Sequence, residues 1–230
     1  DIWTIPDWEK REEVRHARFG VTCTDLGWRH LAALAGGRTP VDKIWHGLDL
    51  RRFPPPAEPR PPRAGRDEES AVRIVSVGRL VEKKGYRDVL AALADMPDTV
   101  HWRFEHIGGG PLQSVLSDYA DRLGIGGRVR WRGPAAAGQV LALLREGDVF
   151  ALGSKVAQDG DRDGLPNVLL EAASQELAIV ATRAGAIPEF VAHDETGVLV
   201  PPSRPQAMAE ALQRLARDPA TRLRLGRAAR

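Results

Sequence analysis

Three short stretches of the sequence combine residue types that could handle an anionic ligand. The first is GRLVEKKG, in which Gly78, Arg79, Lys83, Lys84 and Gly85 fall within eight residues. Glycines permit sharp backbone turns, and Arg79 with Lys84 could both reach one anionic group such as a diphosphate. The same composition also suits a solvated basic loop, because the lysine and hydroxyl pair of a Walker phosphate loop is lacking. The second stretch is GGGPLQ, Gly108 to Gln113, which opens a helical pattern whose first amides could receive a phosphate. It lacks the G-x-G-x-x-G spacing, and no acidic residue ends the next apolar run, RVRWRG, to hold a ribose. Both departures argue against a nicotinamide-binding module.

The third stretch, AQDGDRDGLPNVLLEAASQ from Ala157 to Gln175, is the richest. Asp159, Asp161, Asp163 and Gly164 match the first half of a calcium loop. The twelfth position, where a bidentate glutamate belongs, is Leu170, and Glu171 comes one place late. We therefore expect no metal, and read the two D-x-D pairs as loop chemistry. The alternative is a helix whose first turn contains Pro166, where a missing N–H costs nothing. The amides of Leu165, Asn167 and Val168 would then point from the positive end of its dipole toward a phosphate or a developing negative charge. Glu171, among Leu169, Leu170 and Ala172, would need a partner in a crevice, and a ribose diol would serve. A hydrolase dyad of Asp163 and Glu171 fails on distance. Eight helical residues span about 12 Å, whereas the carboxyls of retaining glycosidases lie about 5 to 5.5 Å apart. One carboxylate at each end of an elongated ligand fits better.

These stretches follow short segments that read as strands: VRIVSV, HWRFEHI, RVRWRG, DVFALG, LAIVAT and GVLV alternate with amphipathic segments. The helices are expected near Tyr86 to Leu93, Pro111 to Leu123, GQVLALLRE, Pro166 to Gln175, and twice at the C-terminus. Such alternation predicts an α/β fold, a doubly wound parallel sheet of about six strands, Rossmann-like, with ligands beyond the carboxyl ends of the strands. Upstream, RFGVTC, a helix over Asp25 to Gly36 capped by Asp25, and KIWHGL read as one β-α-β unit. Between them the proline-dense RFPPPAEPRPPRAGRD should be extended and exposed. The expected division is 1–50, a linker over 51–70, and 71–230.

Of the 230 residues 43% are apolar, enough for a sizeable core, and no apolar run approaches the length of a helical membrane span. The single cysteine, Cys23, allows neither an internal disulfide nor a cysteine zinc cage, which fits a reducing, cytoplasmic setting. Thirty-three basic against 31 acidic residues, without a block of like charge, predict no nucleic-acid partner. The histidines show no metal-ligand spacing, and the six tryptophans are scattered rather than interleaved with basic clusters, so both read as packing.

The order GRLVEKKG, IGGGP, RVRWRG, DVFALGS, DGLPNVLLEA, AGAIPEFV and GVLVPP resembles the donor-binding half of retaining glycosyltransferases of the GT-B architecture, of the family 4 type. The likeness is to bacterial enzymes of exopolysaccharide and lipopolysaccharide assembly, and it covers residues 15 to 217. It implies that Arg79 and Lys84 hold the diphosphate of a nucleotide-diphosphate sugar beside Gly78. It further implies that Glu171 holds the ribose, that Arg132 and Gly133 neighbour the base, and that the amides from Leu165 through Asn167 to Val168 touch the transferred sugar and distal phosphate. Asp163 stands where the family has the first glutamate of E-x7-E, one methylene shorter. Glu189, in AGAIPEFV, is expected to cap or brace the helix after that loop. Residues 1–50 look like the end of an acceptor-binding domain and the crossover from it. The chain is thus expected to be a fragment lacking most of that domain, inactive alone, and using no cofactor or metal. A nucleotide-binding module without activity is the rival reading. A GT-B-like epimerase or phosphorylase is disfavoured, because the single-carboxylate epimerase pattern and the pyridoxal-binding lysine segment are not found. Peripheral association of the full-length protein with the inner membrane face is left open, as are the base, the sugar and the acceptor.

Overall fold

A computed structural model describes residues 3–230; Asp1 and Ile2, the start of the expected 1–50 segment, lie outside the described residues. The first part holds α1 (Asp7–His16), β1 (Gly20–Thr22), α2 (Asp25–Ala35) and β2 (Val41–Lys43), with β1 and β2 paired in parallel. After the proline-rich stretch come β3 (Val72–Val77), α3 (Tyr86–Ala94), β4 (Trp102–Ile107), α4 (Gln113–Arg122), β5 (Val129–Trp131) and α5 (Ala137–Glu146). The chain continues through β6 (Val149–Leu152), α6 (Asn167–Ser174), β7 (Ala178–Thr182), α7 (Ile187–Phe190), β8 (Val198–Val200), α8 (Pro205–Arg217) and α9 (Pro219–Ala229).

The second part is a six-stranded, all-parallel sheet in the order β5-β4-β3-β6-β7-β8. Counting from β3 as the first strand, this is the 3-2-1-4-5-6 order of a doubly wound sheet. Its central strands are buried on both faces, and their side chains alternate between two cores. Val72, Ile74, Val149, Ala151 and Val180 enter one with α3 and α8, while Val75, Phe150, Leu152 and Ile179 enter the other with α5 and α6. Period-2 alternation in which both faces are apolar is what two helical layers require.

Several local expectations change. Helix α2 is capped by Thr24, whose hydroxyl accepts from the Gly27 amide at 3.0 Å, and Asp25 is its first residue. The strand expected over KIWHGL lies earlier, at Val41–Lys43. Its register runs from Gly20 with Val41 to Thr22 with Lys43, and beyond Ile44 the partner strand has already turned into the α2 cap. Helix α1 is an addition, its sequence too polar to show an apolar face. Glu189 does not brace its own loop. Its carboxylate accepts from the amides of Asp25 at 2.6 Å and Leu26 at 2.9 Å, capping α2 from 163 residues away and tying the two parts together.

The proline-rich stretch has no helix or strand, as expected, but it is anchored rather than free. Arg60 is drawn into the domain and donates to the carbonyls of Leu144, Gly147, Gln175 and Glu176, at the C-terminal ends of α5 and α6. Those carbonyls are the ones a helix leaves without partners, and a cation suits that end of the dipole. Arg63 adds an ion pair at 3.2 Å to the buried Asp148. Removing the guanidinium in Arg60→Ala orphans several buried acceptors. We expect a loss of about 2 to 4 kcal/mol, read as a lowered urea midpoint at unchanged slope.

Candidate functional site

In a sheet of this order the connections leave in opposite directions from β3 and β6, opening a crevice at their carboxyl ends. A cavity of about 500 Å³ lies there. Gly78, Arg79, Lys83 and Lys84 line it from the segment after β3, and Asp163, Asn167, Val168 and Glu171 from the segment after β6. Two distant sequence stretches that each carried half of the proposed chemistry thus face one another.

Each loop is held from below. Gly85, at φ +63°, ends the basic turn, and a Cβ there would lie 1.8 Å from the Gly153 carbonyl, so only glycine lets this turn press against the end of β6. Gly185 does the same for the facing loop, where a Cβ would lie 2.2 Å from the Asp163 carbonyl. Under the first loop, the buried His106 is held down to about 4 by burial and stays neutral; its Nε2 donates to the Gly78 carbonyl at 3.1 Å. Tyr86 packs edge-on to the same ring, 4.5 Å between centroids.

Lys84 and Asp163 form an ion pair at 2.9 Å with side chains only 12% and 11% exposed, and the Ser154 hydroxyl donates to the same carboxylate oxygen at 2.8 Å. Lys83 pairs likewise with Asp161 at 2.9 Å. Arg79 is exposed and, among the described residues, has no carboxylate partner. The loop from 157 to 164 thus fastens both lysines, while between the two aspartates Arg162 lies 4.0 Å over the ring of Trp3. Asp159 accepts from the Asp161 amide, so the three aspartates go to three different partners. Among the described residues no cluster of three metal-ligating side chains forms.

Helix α6 starts one residue later than expected: Pro166 is its N-cap rather than part of the first turn. The amides of Asn167 and Val168 have no acceptor among the described residues, whereas Leu165 is buried in the core beneath and is not part of the cavity wall. Burial raises Glu171 above the ordinary carboxylate range, with no compensating cation. The structure does not bring Arg132 and Gly133 into the wall. Arg132 pairs with Glu105 at 2.6 Å, and the Gly133 carbonyl accepts from the Gly108 amide. In their place the turn presents Ala135, followed by Ala137 and Val140 of α5. Phe53, from the start of the proline-rich stretch, completes the wall, and sequence reasoning missed it because a lone phenylalanine ahead of a proline run has no diagnostic spacing.

Residues 62–230 match the family described as Glycosyl transferases group 1, and the chain belongs to that family. WcaL of Escherichia coli strain K12, named as a colanic acid biosynthesis glycosyltransferase, is 34% identical over 205 residues, 89% of this chain and 49% of WcaL. A GDP-mannose-dependent alpha-(1-6)-phosphatidylinositol monomannoside mannosyltransferase of Mycobacterium tuberculosis strain CDC 1551 / Oshkosh is 29% identical over 202 residues, 86% of this chain and 52% of that enzyme. The chain therefore spans about half the length of these curated relatives. Among solved structures the fold is similar to that of Anabaena HepE in complex with UDP and glucose, at a TM-score of 0.80 and 20% identity, over 100% of this chain and 63% of that one. This likeness establishes the GT-B fold. No helix among the described residues is long and apolar enough to cross a membrane.

The unpaired burial of Glu171 has a measurable consequence. A carboxyl whose folded value is raised costs stability while ionised, and the cost disappears as pH falls through that value and below the ordinary carboxyl range. Glu171→Gln should therefore be more stable than the parent near pH 7.5, by less than about 1 kcal/mol given the solvent screening of a half-exposed group. Thermal unfolding followed from pH 7.5 to pH 4 should show the difference closing on the acid side.

Proposed function

We propose that the chain is the donor-binding half of a retaining glycosyltransferase of the family 4 type, serving cell-surface polysaccharide or glycolipid synthesis. The carrying observation is the switch-point cavity, with Arg79 and Lys84 on one side and the free α6 amides and Glu171 on the other. A nucleoside diphosphate sugar fits this order of groups. The diphosphate lies between Arg79 and Lys84 beside Gly78, the ribose diol donates to Glu171, and the sugar with the distal phosphate meets the amides of Asn167 and Val168. Asp163 addresses the sugar once Lys84 has exchanged it for phosphate.

The reaction breaks the bond between the anomeric carbon and the diphosphate oxygen and forms one to an acceptor hydroxyl, with retention. The charge that grows on the departing diphosphate is stabilised by two cations and a helix N-terminus already in place, which is electrostatic preorganisation without need of a metal. The relatives' names support such donors, one being GDP-mannose-dependent and one structure holding UDP. Because the chain spans about half of its relatives, we propose that it binds donor without turning it over, catalysis requiring a second domain to close on the acceptor.

Calorimetric titration with UDP, GDP and ADP tests this. One nucleotide should bind, Glu171→Ala should weaken it about tenfold to a hundredfold through loss of hydrogen bonds to a charged group, and EDTA should change nothing. Heats for none of the three would contradict the donor assignment, and heats with calcium alone would turn the 157–164 loop into a metal site.

A further inference from the structure

The cavity wall has a cationic side and an apolar side. The apolar side includes Val77, Ala135, Ala137, Val140 and Val168, and one aromatic residue, Phe53, which comes from outside the Rossmann-like part. The four aliphatic neighbours Val77, Ala135, Val140 and Val168 also pack on the core beneath α5 and α6, so their place is explained by folding. Phe53 belongs to neither core cluster, even as a partly buried neighbour. An aromatic ring left against a cavity without a core to join calls for another partner.

The backbone around Phe53 is fixed. Two successive turns bend the crossover, with the Arg52 amide on the Asp49 carbonyl at 2.9 Å and the Phe53 amide on the Leu50 carbonyl at 3.3 Å. The next carbonyl, that of Pro54, accepts from Arg145 and from Gln175, both at 3.1 Å, and these two side chains are themselves bonded at 3.1 Å. Gln175 is fully buried and follows Glu171 by one helical turn, about 6 Å. The free amides of Asn167 and Val168, the Glu171 carboxylate, and the point where Gln175 secures the Phe53 segment therefore succeed one another along α6. This is the order of diphosphate, ribose and base in a nucleotide.

We infer that Phe53 is a base-binding residue that stacks on the face of the nucleobase. The inference rests on the donor-site reading above and adds to it a base subsite with a residue supplied by the proline-rich stretch. A ring held by its own backbone stacks at little entropic cost, and stacking accepts any base, so discrimination among bases is left to the small residues opposite.

The test titrates the full chain with the nucleoside diphosphate that the parent binds and, separately, with inorganic diphosphate. Phe53→Ala should weaken the nucleotide about tenfold to a hundredfold, leave inorganic diphosphate unchanged, and leave the melting temperature in place. Phe53→Tyr should restore nucleotide binding to within about threefold, and Phe53→Leu, apolar but without a π face, should not. A Phe53→Ala chain that binds nucleotide like the parent, a leucine as good as the tyrosine, or equal weakening of both ligands would overturn the stacking role while the donor site stands. Failure of the parent chain to bind any nucleoside diphosphate would remove the donor reading and the stacking role together.

Discussion

The handedness of parallel crossovers is the constraint from which the site follows. Connections between parallel strands are right-handed, so a sheet that grows outward from β3 in one direction and from β6 in the other must send its helices to opposite faces. The loops leaving β3 and β6 then diverge, and the gap between them cannot be filled by either helical layer. What occupies that gap is decided by the few residues after each strand. Here one loop supplies cations and the other a helix N-terminus with two carboxylates. Glycines at 85 and 185 let both loops approach backbone that any side chain would push away.

The charges at the gap fall into two kinds, paired lysines on one side and an unpaired carboxylate on the other. Lys83 and Lys84 are each neutralised by an aspartate of one short loop, which lowers the cost of keeping two adjacent ammonium groups nearly buried. In the donor-binding reading we propose, an arriving diphosphate offers Lys84 a stronger acceptor than Asp163 and frees that carboxylate at the same moment. Glu171 has the opposite character, a half-buried carboxylate without a cation, whose cost the proposed ribose hydroxyls would recover. The 157–164 loop carries Arg162 onto Trp3, and Glu189 of α7 caps α2, so both segments are tied to the first part of the chain.

Much of the architecture was legible because its signals are strong ones. Short runs rich in β-branched and apolar residues, such as VRIVSV and DVFALG, alternating with amphipathic segments, point to strands buried on both faces, and glycine, lysine and the LPN turn mark their ends. The cavity residues after β3 and β6 are therefore legible in the sequence. The rest depended on contacts that local sequence does not encode. Arg132 reads as a cation near the site, but Glu105 on the neighbouring strand claims it; Glu189 reads as a local brace, but the free amides of α2 lie within its reach. The polar α1 shows no apolar period, and the anchoring of the proline-rich stretch rests on Arg60 meeting carbonyls 84 to 116 residues away.

The central claim is that one nucleoside diphosphate spans the gap, exchanging the Lys84 and Asp163 pair for its own phosphates. A crystal structure of the chain soaked with the nucleotide it binds tests this most directly. The account predicts diphosphate oxygens within hydrogen-bond distance of Arg79 and Lys84, Asp163 released from Lys84, and the ribose hydroxyls on Glu171. A nucleotide seated elsewhere, with Lys84 still on Asp163, would contradict it.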